Sequence, residues 1–361
     1  MNVKLLELHR EQLRLAFYRI ATIKLNDARL DYVRNTIGIL SYEFEKIDFS
    51  LENTGELYLF RDCISLLQEW TGWIANQEQG TKPHAVINCM DIAASEWIGN
   101  SAQFILVATD GEFGIYADDP SVELLLDWIY NRFKIDIPYK LVHIQIPFHL
   151  DDDYLFNICL YHELGHFIDD QLKVTEGMAV DIIASWSTRN PTAGISGKNV
   201  WELNTTIFQR HLKEIFADIF AAQYVGKKLI EYIDFMCEDV MSHVGSHHPA
   251  PRLRKEMIMD VLRNSADNEI IENMNSALYG QTGKRILLKE QTDGVILTAG
   301  DVIYSPIENI YQVFTATWDT YIHHTKNIGE NAENSYQKTC RAAEMAINNS
   351  IMSHTQQANV I

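Results

Sequence analysis

The sequence predicts an α+β protein that is predominantly helical, with a small mixed or antiparallel sheet. Three observations carry this. Apolar residues recur at helical spacing over most of residues 4–80 and again from about 200 to 240. Segments at 103–117 and 139–147 have the composition and alternation of strands. A strongly apolar helix opening near residue 151 carries two histidines and a glutamate, which a plain core helix has no use for, because unpaired buried charge is costly.

Taken in order, the opening stretch places Leu5, Leu8, Leu13, Leu15 and Ile20 among charges, and Leu57–Ile74 carries Leu59, Leu66, Leu67 and Trp70; both stripes read as core-facing helices. Gln103–Thr109 is β-like, Asp110-Gly111 is a turn signal, and Phe113–Ala117 reads as the returning strand of a hairpin. Residues 121–133 read as a helix and 139–147 as a strand stopped by Pro147, either a core strand or an edge able to pair with an extended peptide. Asp151, Asp152 and Asp153 supply an acidic helix start. Loops follow at 189–198 and 242–252, a hairpin is expected around Asp293-Gly294 within 285–298, and the last sixty residues read as helical with a fraying tail. This divides the chain into an N-terminal helical region (1–100), a central region holding the motif (101–265) and a C-terminal hairpin and helical region (266–361).

Composition narrows the function. With 30 Lys and Arg against 49 Asp and Glu, the formal net charge is -19, which argues against nucleic acid and against an anionic membrane surface. The five cysteines are scattered and form no C-x-x-C pair, so neither a disulfide scaffold nor a thiolate zinc site is expected. No run reaches about 18 apolar residues and the charged N-terminus has no signal core, so a cytoplasmic chain without a membrane span is expected.

The chemistry-bearing segment is Tyr161-His162-Glu163-Leu164-Gly165-His166, which matches H-E-x-x-H. Helical residues four apart share a face, so His162 and His166 can bind one Zn²⁺, and Glu163 can serve as general base toward a water whose pKa the metal lowers. The third ligand is expected downstream. Glu214 and Asp218 are the only charges between Lys213 and Lys227, four apart on an apolar helix; Glu214 completes the ligand set and Asp218 can accept the free ring N–H of a ligand histidine. Asp169 and Asp170 compete, as ligand or as a support to a ligand, and Glu176 is a weaker rival. His143 and His149 read as structural, and Gly280–Lys284 as a turn rather than a phosphate loop.

These residues resemble the gluzincin clan of metallopeptidases, in which the two histidines of HExxH and the Glu of a downstream E-x-x-x-D bind zinc. The form HELGH followed by E-x-x-A-D, with His248-Pro249-Ala250-Pro251 and Arg254 beyond it, is similar to the CAAX-prenyl endopeptidase group and its soluble relatives. The resemblance covers about residues 160–254. It implies a zincin-like catalytic core, a protein or peptide substrate, and a His and an Arg by the site as oxyanion donors, here His248 or His247 and Arg254; Tyr224 is a further candidate donor. The membrane spans of the prenyl endopeptidases are absent, so their lipidated substrates are not implied. A metzincin is excluded because its glycine would fall at Asp169. Two rival readings are a non-proteolytic zincin-like regulatory or binding module and a purely structural helical scaffold.

Overall fold

The computed structural model describes residues 2–25, 27–77, 84–99, 103–111, 114–117, 121–146, 156–178, 198–236, 248–263 and 268–289, with isolated positions at 311, 312, 315, 318, 341 and 345. The described residues are predominantly helical with one small mixed sheet. The chain forms two compact units, Met1–Ile87 with Asn100–Asp151, and Asn88–Gly99 with Asp152–Ile361. The boundaries expected at 100 and 265 are therefore not followed: the sheet groups with the N-terminal helices.

The first unit begins with α1 (Val3–Ile20), α2 (Ala28–Glu45) and α3 (Thr54–Ala75). Each opens on a side chain that accepts from a free backbone N–H of the first turn: Asn2, Asp27 and Asn53. Helix α1 packs on α2 and α3. The core joins Leu13, Ile37, Phe44, Phe60 and Trp70 with Ile105, Ile129 and Leu141. Phe60 sits edge-on to Phe44, Phe49, Trp128 and Phe133, the arrangement aromatic quadrupoles favour.

After α4 (His84–Trp97), strands β1 (Phe104–Asp110) and β2 (Gly114–Ala117), helix α5 (Ser121–Phe133) and strand β3 (Lys140–Ile146) follow. The sheet order is β1-β3-β2, with β1 parallel and β2 antiparallel to β3. The two strands around Asp110-Gly111 therefore do not form the expected hairpin, because β3 inserts between them. It also makes β3 the central strand, with both edges paired, so its reading as a peptide-accepting edge is overturned. The outer edge of β1 is partly satisfied by Gln77, whose amide accepts from Ala108 N at 3.3 Å and donates to Ala108 O at 2.7 Å.

The second unit contains α6 (Leu160–Leu172), α7 (Lys198–Val225), α8 (Lys228–Met236), α9 (Pro251–Leu262) and α10 (Glu269–Thr282). A 3₁₀ turn at Phe156–Cys159 leads into α6. The long helix expected over 200–240 is two helices, broken where Gly226 takes φ 57°. The acidic start at 151–153, His149, the loop at 189–197, His247 and the hairpin beyond residue 289 lie outside the described residues. No described helix is long and apolar enough to cross a membrane.

Candidate metal centre

Helix α6 is buried along most of its length, including Leu160, Tyr161, His162, Leu164, Phe167 and Ile168. It crosses α7 at closest range where Gly165 meets Ala217. A Cβ built on Gly165 would lie 2.7 Å from Ala217 Cα and 3.1 Å from its carbonyl oxygen, so only glycine permits this approach. On α7, Glu214 is one turn before Ala217 and Asp218 is next to it. The close crossing thus brings both carboxylates against the histidines of α6.

His162 Nε2 and His166 Nε2 are 3.1 Å apart, with the two rings nearly perpendicular. Glu214 Oε2 is 3.5 Å from His162 Nε2, and Glu214 Oε1 is 3.4 Å from His166 Nε2. Donor atoms bound at about 2.0–2.1 Å to one tetrahedral ion lie about 3.3 Å from each other, which matches these separations. Glu214 Oε2 is buried and lacks a well-formed hydrogen bond, although His248 Nδ1 is 2.9 Å away. A carboxylate that faces one imidazole nitrogen with each oxygen, one of them incompletely satisfied, fits a cation between the three side chains. His162, His166 and Glu214 could hold a metal ion.

Behind His162 stands a fully buried carboxylate. Asp218 Oδ1 is 3.0 Å from His162 Nδ1, although off the direction of a well-formed hydrogen bond. Arg254, from α9, grips the same carboxylate with both arms: Nε donates to Oδ2 at 2.6 Å and a terminal nitrogen donates to Oδ1 at 2.7 Å. This contact gives Arg254 a partner other than the substrate oxyanion that the resemblance implied for it. The chain Arg254–Asp218–His162 backs the His162 ring on its Nδ1 side, while Nε2 faces His166 and Glu214.

Compared with protein families, curated proteins and solved structures, the chain matches none. The site is therefore read from its own geometry and electrostatics.

Burial opposes charge throughout the cluster, and its ion pairs outweigh burial. Burial alone would lower the His162 pKa, but Asp218 and Glu214 bring it up to about 9. Burial would raise the Glu214 carboxyl, yet His162, His166 and His248 hold it far below the usual carboxylate range. Burial likewise works against ionised Asp218, and Arg254 and His162 overcome it and depress its pKa. His248, mostly exposed, is raised by the Glu214 carboxylate beside its Nδ1.

Three other candidates take up different partners. Asp169 is buried, and its oxygens accept from Thr175 N at 2.8 Å and Thr175 Oγ1 at 2.5 Å. It fastens the chain just past Lys173, whose φ of 52° ends α6, and in this role replaces the expected support to a ligand. Tyr224 donates to Glu96 at 2.8 Å and accepts from Trp97 at 3.0 Å, while Lys289 pairs with Glu96 at 2.7 Å. Its hydroxyl belongs to that network. Asp170 pairs with Lys213 at 2.6 Å. Sequence reasoning missed Gly165 and Ala217 as site-forming residues; the signal was two small residues on facing apolar helices.

Proposed function

We propose that the chain is a zinc-dependent endopeptidase that hydrolyses peptide bonds of a protein or peptide. The observation that carries this reading is the convergence of His162, His166 and Glu214, with Glu163 on the same helical turn as the first histidine. Two imidazole nitrogens and one carboxylate favour zinc over calcium or magnesium, which prefer all-oxygen sets. The chemistry such an ion supplies when bound is Lewis acidity, which lowers the pKa of water and polarises a carbonyl.

The chain's own residues then divide the work. Glu163 accepts a proton from water as the water oxygen bonds to the scissile carbonyl carbon. It returns that proton to the amine nitrogen as the C–N bond breaks. His248, tethered through Nδ1 to Glu214, offers its second ring nitrogen to the oxyanion. Asp218 and Arg254 hold His162 in orientation and act as positioning residues.

The test is metal analysis joined to proteome-wide cleavage profiling. Wild type should carry about one zinc per chain and generate new peptide termini. Glu163→Gln should keep the metal and lose cleavage, and His162→Ala should lose both. A metal-loaded wild type that yields no termini beyond those of Glu163→Gln would leave a non-proteolytic zinc module instead.

A further inference from the structure

The first unit carries a concave site of its own, built from residues that the metal centre does not use. A cleft of about 420 Å³ opens between α3 and the sheet face formed by β1 and β3. That volume lies within the range of small-molecule sites, about 300–1,000 Å³. Thr109 lines it from β1; it is 7% exposed, and its hydroxyl is buried without a hydrogen-bond partner among the described residues. A buried hydroxyl left unmatched is costly, and a ligand donor would remove that cost.

The neighbouring groups define the chemistry. Gln145 is in register with Thr109 on the parallel pair β1/β3, so both side chains face the same side. Its side chain lies against Gly111, where a Cβ would come within 2.8 Å of the Gln145 amide carbon, so the amide is confined. Trp73 and His143 stack at 4.5 Å with their rings 13° apart. Burial lowers the His143 pKa and so disfavours its cationic form. At the mouth, Glu69 has no hydrogen bond or ion pair among the described residues, and burial alone raises its pKa.

The lining therefore offers acceptor oxygens, an aromatic wall and a carboxylate, and no cationic side chain among the described residues. An anion would meet Glu69 in a chain of net charge -19. A neutral ligand covering the mouth would strip water from Glu69 and return no counter-charge. A cation answers both. We propose that this cleft binds the guanidinium or primary ammonium head of a small organic cation, with Glu69 as counter-charge and Thr109 and Gln145 as hydrogen-bond acceptors.

The site can be closed without touching the core. A Cβ at Gly72, in the cleft wall, meets nothing within 4 Å, so Gly72→Phe fills the cleft while removing a helix-weakening glycine. Full-length protein is titrated calorimetrically with arginine, with lysine, with the neutral isostere citrulline, and with a capped Gly-Arg-Gly peptide. Saturable binding of arginine or lysine is expected, at least tenfold weaker for citrulline, at least tenfold weaker in Glu69→Gln, weaker in Thr109→Val and lost in Gly72→Phe, with no variant melting below wild type. Peptide binding as tight as that of free arginine would identify a side chain as the natural occupant, and weaker peptide binding a free molecule; either sustains the site. No saturation by arginine or lysine, equal affinity for citrulline, or unaltered binding in Gly72→Phe overturns it.

Discussion

Gly165 and Ala217 are in backbone contact where α6 crosses α7: a Cβ on residue 165 would fall 2.7 Å from Ala217 Cα. This contact sets how close Glu214 comes to the two histidines. Gly165→Ala is expected to force the helices apart and lower stability by about 1–3 kcal/mol, the usual cost of overpacking. Metal affinity should fall with it, because Glu214 moves away with α7. The nearest atom is main chain, so Ala217→Gly should not rescue the variant. Thermal denaturation and metal stoichiometry of the three proteins check this; a Gly165→Ala protein with full stability and full metal content would refute the coupling.

Arg254 neutralises a carboxylate that has no exposure of its own. Removing one partner of a buried pair typically costs about 3–5 kcal/mol, because the other charge stays behind. Arg254→Met is expected to lose stability on that scale, and Arg254→Lys to recover only part, since an ammonium cannot reproduce the two-armed contact. Loss of a group that orients a ligand histidine usually weakens metal binding about 10–100-fold. Chemical denaturation and competition with a chromogenic chelator measure the two effects separately.

The parts of this molecule that were legible in the sequence are those governed by local spacing. Helix α5 and strand β3 fall within a residue of the bounds read from periodicity, because one apolar face fixes the period. His162, His166 and Glu214 were legible as residues four apart or as isolated charges on an apolar face. What depended on distant partners was not. The Asp110-Gly111 turn signal is genuine, yet β3 takes the place beside β1 that a hairpin would have filled. Gly226 lies inside the stretch that periodicity reads as one helix, and its left-handed backbone splits that helix. Arg254 was read as facing substrate, since nothing local reveals that Asp218, 36 positions earlier, accepts both its arms.

Asp169 provides a pH-dependent test outside the ligand set. Burial raises its pKa, and the two bonds from Thr175 lower it without cancelling that effect. A carboxyl with a folded pKa above its unfolded value contributes stability below the unfolded pKa and loses it as pH rises through the folded value. Ionised Asp169 therefore weakens the fold at neutral pH. Asp169→Asn keeps an acceptor for Thr175 N and cannot ionise. Wild type should gain stability relative to Asp169→Asn as pH falls from neutral toward the carboxylate range. Urea denaturation of both proteins across that span checks the sign, and a difference that stays constant with pH would contradict it.

Removal of the metal should be felt through Glu214 before any other residue. Its Oε2 is buried without a well-formed hydrogen bond and faces His162 Nε2, while its Oε1 faces His166 Nε2. A cation bound only by the folded chain adds stability as RT ln(1 + [L]/Kd), about 2.7 kcal/mol at a hundredfold excess over Kd. Chelation of wild type is therefore expected to lower the melting temperature by several degrees, with recovery on adding zinc. Glu214→Ala removes one of the three donors and the buried charge together. Its melting temperature should respond little to chelator or to zinc, and its metal-free form should be less stable than metal-free wild type, because the histidines lose the carboxylate that pairs with them. Differential scanning calorimetry of both proteins, with chelator and with zinc, separates the outcomes; an undiminished zinc-dependent shift in Glu214→Ala would place the ion on other residues.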